Sequence, residues 1–283
     1  MELWYSIVSL LPFEWAQPGT MLFMKNALLG ILVLCPLLGL LSTHIVTGKM
    51  SFFSDALGHS AFTGIAIGCI CGLAFPMVAA VILSAVFALL FTYVRRKTNL
   101  SGDTVIGVFS STAVAVGILV ATWNGGSFTK FNSYLIGDIL SVRPGEIGIL
   151  ALVLLAVAAL WCIASNGLYL SVIHPDLARS RGIRVGLIQA LFTVVIAVVV
   201  TLSLSWVGLL VINSLLVLPG AAARNIAKNL RQYHLLSILG ALVCGVGGLM
   251  VSYYWGCSTG AAISLLLALY FFVGFLLRRP DRK

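Results

Sequence analysis

Residues 185–204 read VGLIQALFTVVIAVVVTLSL, a run of twenty positions without one charged side chain. A helix rises 1.5 Å per residue, so such a run is long enough to cross the hydrocarbon of a bilayer. Its surroundings decide how to read it. Runs of the same character fall at 21–46, 54–74, 76–94, 103–123, 145–164, 206–219, 234–255 and 259–277. An open sheet cannot satisfy its backbone in lipid, so each run reads as a helix. The 206–219 run is short and follows its predecessor after Ser205, which suggests a broken or partly re-entrant span. The expected fold is therefore an all-α polytopic membrane protein of eight to nine transmembrane helices, one transmembrane domain over 1–283.

Composition agrees. Of 283 residues, 60% are hydrophobic and 9% charged, with a mean hydropathy of +1.10. A soluble domain carries roughly 25% charged residues. No cleavable signal is expected, since Glu2 and Glu14 interrupt the first residues and a basic leader region is missing. The net charge of +9 does not point to nucleic acid, because the basic residues lie in short clusters between apolar runs. If 220–233 is cytoplasmic and the runs alternate, that side collects 14 of the 17 Lys and Arg, in clusters at Lys49, 95–97, 179–184, 224–231 and 278–283. Lys25, Lys130 and Arg143 remain elsewhere. The N-terminus is then outside, the C-terminus cytoplasmic, and Trp15, Trp123, Trp206 and Trp255 fall at the outer interface. The six cysteines have no CxxC spacing and mostly sit in apolar runs, as small hydrophobes do.

The least apolar run opens with Ser51-Phe52-Phe53-Ser54-Asp55-Ala56-Leu57-Gly58-His59-Ser60-Ala61. Asp55 and His59 are four apart, so a helix presents both on one face. Small residues around them (Ala56, Gly58, Ser60, Gly64, Gly68) admit close helix packing. An intramembrane carboxylate normally faces a cavity and serves a function. Carboxylate with imidazole suits Mn²⁺, Fe²⁺ or Zn²⁺. The alternative is that Asp55 caps its helix while His59 bonds a carbonyl. Elsewhere, Gly48-Lys49 is no phosphate loop, since Thr43 replaces its first glycine and Met50 its Ser or Thr. His44 reads as an interfacial side chain, His174 and His234 as solvated loop residues, and Asp138 as a vestibule or solvated loop residue. Pro219-Gly220 is expected to end a membrane helix. Ala221, Ala222, Ala223 and Arg224 then begin a short basic helix over about 220–232, suited to docking on a partner, or an ordinary basic loop.

Together these segments resemble the permease subunits of metal-type ABC importers. The matching pieces are Phe23–Leu28, Met50–Ala61, Asp176–Gly182, Val207–Val211 running on to Pro219–Arg224, and Ser258–Ala261. The chain departs from the family at Gly220, where alanine is usual, and at Thr43 and His44. The resemblance implies a type II-like importer bundle without catalytic residues or a resident cofactor. Its cargo would be manganese, zinc or iron, coordinated by Asp55 and His59. Its partners would be a second permease copy (identical or related), a cytoplasmic ATPase dimer met by the 220–232 coupling helix, and an extracytoplasmic metal-binding protein, in a bacterial inner membrane. The competing reading is an ion- or proton-coupled secondary transporter with Asp55 as carrier. An intramembrane enzyme is disfavoured, because neither an HExxH motif nor a Ser–His pairing is evident.

Overall fold

The structure, a computed structural model, describes residues 2–9, 13–17, 19–98, 100–123, 137 and 139–277. Among them are α1 (Glu2–Val8), α2 (Leu22–Thr47), α3 (Phe53–Ile70), α4 (Pro76–Lys97), α5 (Gly102–Thr122), α6 (Pro144–Ile173), α7 (Pro175–Ser180), α8 (Val185–Val207), α9 (Leu209–Ile226), α10 (Leu230–Trp255) and α11 (Thr259–Leu276). Eight of these (α2, α4–α6 and α8–α11) have the length and apolarity to cross a membrane. α3 is more polar but lies antiparallel along α4. Phe53 stacks near Phe91, Ser60 donates to Ser84, and the glycines at 64 and 68 meet Ala80 and Pro76. It therefore runs beside α4 from Phe91 to Pro76. A Cβ at Gly64 would come within 2.5 Å of the Ala80 backbone, so the small residues of α3 do admit a close neighbour.

Helix ends follow local chemistry. Pro76, Pro144 and Pro175 open their helices, where a missing N–H costs nothing. Asn229 caps α10 by accepting from the Gln232 N–H at 2.8 Å, and Gln232 reaches back to the Lys228 N–H.

Two expectations about 205–232 need correction. The break between the two adjoining runs is not at Ser205. α8 continues to Val207, and the chain turns on Gly208 alone, with φ +81° and ψ 160°, a conformation glycine tolerates. Nor does Pro219-Gly220 end the membrane helix, and 220–232 does not form one separate helix. α9 runs through both residues to Ile226, and a short turn then leads into α10. The reason is a neighbour. Ser42 of α2 accepts the Gly220 N–H at 2.9 Å, so a hydroxyl from another helix carries the ladder past the proline. A Cβ at 220 would lie 2.5 Å from that hydroxyl, which accounts for glycine there.

The basic residues gather at one end of the bundle. Arg95 donates to the Gly48 carbonyl at 3.0 Å, Arg224 reaches toward that of Val46, and Arg96 lies against Gly186 at the start of α8. The tryptophans at 123, 206 and 255 close helices at the opposite end. Trp15 is fully buried there beside Phe13. Lys130 and the basic residues of 278–283 lie outside the described residues.

Candidate metal pathway site

Asp55 is the third residue of α3, not its cap. The cap position is Phe52, which has no side-chain cap bond. The carboxylate points instead across the bundle. Its Oδ2 lies 3.6 Å from His59 Nε2, and its Oδ1 accepts from Asn213 Nδ2 of α9 at 3.1 Å. Asn213 stands about 16 Å along α9 from Arg224, at 1.5 Å per residue, roughly half the hydrocarbon thickness. The group thus lies nearer the Gly208 end of α9 than its basic end.

Space faces it. Asp55 and Asn213 line a cavity of about 670 Å³, with Leu210 and Val211 on α9 and Thr259 and Ile263 on α11. The side chains of Asp55 and His59 keep 41% and 27% exposure, enough for an ion to reach both. Two ligands of one transition-metal ion, each about 2.1 Å from it, stand roughly 3–4 Å apart. The observed 3.6 Å separation falls in that range. Asn213 adds a further oxygen. Its Oδ1 is buried and has no hydrogen-bond partner. A buried unpaired amide oxygen in a native fold calls for an explanation. Among the described residues no three His, Cys, Asp or Glu side chains converge on one point. One chain therefore offers a partial coordination shell of one carboxylate, one imidazole and one amide.

The other candidates separate cleanly. His44 is not interfacial: it is 2% exposed, ringed by Trp161, Tyr169 and Phe192. His234 is not a solvated loop residue. It sits on α10, with Nδ1 3.1 Å from the Thr43 hydroxyl, packed on Trp161 and Tyr169. His174 is exposed between α6 and α7, as expected. Asp138 lies outside the described residues. Of the segment expected to meet a partner, Pro219, Gly220, Ala222 and Ala223 are buried, Ala221 is half-buried and Arg224 is exposed. The sequence reading missed Asn213. Its signal was an amide within an apolar run, polar at membrane depth and so a functional candidate.

A bundle of membrane-length helices around an intramembrane Asp–His–Asn cluster has the architecture of a polytopic solute permease. The profile of the ABC 3 transport family matches residues 20–278, and the chain belongs to that family. This bears out the resemblance to metal-type ABC permeases. The manganese import system permease protein ScaB of Streptococcus parasanguinis is 29% identical over 262 residues, 92% of each chain. The high-affinity zinc uptake system membrane protein ZnuB of Haemophilus influenzae is 26% identical over 252 residues, 89% of this chain and 96% of its own. Among solved structures, PsaBC from Streptococcus pneumoniae in complex with Fab superposes with a TM-score of 0.78 at 27% identity, covering 100% of this chain and 98% of that one.

Proposed function

We propose that this chain is the permease subunit of an importer for divalent transition-metal ions, with Asp55, His59 and Asn213 as its pathway site. The observation that carries the reading is the Asp55 carboxylate, which lines the cavity and stands 3.6 Å from the His59 imidazole. The carboxylate offsets the ion's charge. The imidazole favours manganese, iron or zinc over calcium and magnesium. The named relatives import manganese or take up zinc, which supports the same cargo class. Asn213 holds Asp55 in place, and its oxygen would complete an ion's shell if the amide turned. A partial shell suits transport, because the ion must leave as well as enter. A second permease copy facing the first would double the ligands.

In this reading the basic end is cytoplasmic, by the positive-inside bias, and the N-terminus lies outside. The chain has no phosphate-binding loop of its own, so a separate cytoplasmic ATPase dimer supplies the energy and an extracytoplasmic binding protein delivers the metal. Arg224, Lys228 and Arg231, exposed around the α9–α10 turn, would meet the ATPase. Pro219–Ala223 would serve behind them as the packed foot that transmits its motion. Family membership favours this over a carrier driven by an ion gradient. The test is reconstitution of the chain with the ATPase in proteoliposomes. Uptake of manganese or zinc should require ATP and persist when proton and sodium gradients are collapsed. Uptake that follows a gradient and ignores ATP would overturn the proposal.

A further inference from the structure

Cys257 lines the same cavity as Asp55 and Asn213. It falls between the apolar runs 234–255 and 259–277, is exposed, and carries a free thiol. Its backbone is fixed from both sides. Gly256 closes α10 with φ +64°, and Ser252 Oγ donates to the Cys257 carbonyl at 2.6 Å. The Thr259 hydroxyl lies 2.7 Å from the same Ser252 oxygen, which ties the start of α11 to that turn. The level of Cys257 follows from how α11 lies on α9. A Cβ at Gly260 would meet Val211, and Ser214 donates to Ser264 at 2.9 Å, so the two helices run side by side in one direction. Asn213 then stands level with Ile263, and Cys257 comes before that level in the chain. At 1.5 Å per residue, Cys257 sits roughly 10 Å closer to the Trp255 end than the Asp55 site does.

Two ligands of one transition-metal ion stand at most about 4.5 Å apart. Cys257 is therefore a separate station, not a further ligand of an ion held by Asp55. The lining suits a cation at both levels. Among its described residues Asp55 is the one charged group, with no lysine or arginine to repel an ion. A thiolate is a soft ligand that favours zinc over manganese, a choice that carboxylate and imidazole leave open. We propose that Cys257 is the entry ligand of the pathway, which takes zinc at the outer mouth and passes it on to Asp55 and His59. On binding, the S–H bond breaks, its proton goes to water at the mouth, and a sulfur–metal bond forms. When the ion moves inward that bond breaks, and the sulfur regains a proton from water. The inference rests on the metal-importer reading and its orientation, and narrows the favoured cargo to zinc.

The test uses the full-length chain with Cys69→Ser, Cys71→Ser and Cys162→Ser, which leaves Cys257 as the exposed thiol beside the buried Cys35 and Cys244. Embedded in nanodiscs, it is labelled with a maleimide in the presence of zinc, manganese or magnesium ions. Zinc should slow labelling of Cys257 severalfold, and manganese and magnesium should not. Asp55→Asn should leave that protection in place, because it removes the other station. In proteoliposomes with the ATPase, Cys257→Ser should raise the half-saturating concentration of zinc severalfold more than that of manganese. Labelling that zinc does not slow, or an unchanged zinc-to-manganese ratio in Cys257→Ser, would overturn the proposal. Equal protection by manganese would overturn the choice of zinc. Zinc protection in a chain without ATP-dependent uptake would overturn the importer reading and leave Cys257 as a zinc site.

Discussion

His59 and His234 are a matched pair that the fold treats differently. Both lie on helices of the bundle and both are partly buried. His59 stands 3.6 Å from a carboxylate that lines a cavity, among residues as small as glycine and serine. His234 faces the Thr43 hydroxyl and is walled in by Trp161, Tyr169 and Tyr233. That hydroxyl also receives a bond from Tyr169 at 2.8 Å, while the Thr43 carbonyl receives one from Tyr233 at 3.0 Å. In the proposed reading, His59 is the imidazole left for a metal, because a carboxylate faces it. At His234 hydroxyls and rings face the imidazole instead, and its polarity is spent inside the protein and ties α2, α6 and α10 together.

The strongest way to break this comparison is the same substitution at both positions. His59→Phe should abolish metal uptake at normal expression. His234→Phe should leave uptake per folded molecule unchanged while lowering stability by about 0.5–1.5 kcal/mol, the worth of one hydrogen bond. Uptake and thermal unfolding of the two variants side by side check this, and equal losses of transport would erase the distinction. A smaller effect is expected at Asn213. Asn213→Leu removes the amide that orients Asp55, and the apparent affinity for the transported metal should fall roughly 10–100-fold, as for other outer partners of metal ligands. A concentration series of uptake reads this, and an unchanged half-saturation would place Asn213 outside the site. The smallest effect belongs to the aromatic region. Tyr233→Phe should cost about 1 kcal/mol in thermal unfolding by removing its bond to the Thr43 carbonyl, with the metal dependence of uptake intact.

The spans were legible because lipid imposes a simple rule on composition, and runs such as 185–204 obey it without exception. Asp55 and His59 were legible because a charge at membrane depth is costly and rarely idle. What stayed hidden depends on contacts distant in the chain. Asn213 acquires meaning from Asp55, 158 positions away. Pro219 looks like a helix end until Ser42, 178 positions from Gly220, takes up the freed ladder. His234 follows a basic cluster and so reads as solvated, and only the fold brings Thr43 and Trp161 onto it. Gly220 and Thr43 both fall where α9 and α10 press on α2. There a neighbouring helix, and not local propensity, selects the residue.

The central claim is that the Asp55 carboxylate holds the passing ion. Asp55→Asn keeps the size of the side chain and its ability to bond Asn213, and removes only the charge. Uptake of radiolabelled manganese and zinc by this variant, at matched amounts of assembled transporter, tests the claim most directly. The account predicts that uptake of whichever ion the parent carries falls to background while assembly and thermal stability stay near those of the parent. Transport at the parent's rate would show that Asp55 serves the fold of α3 and that the metal passes elsewhere.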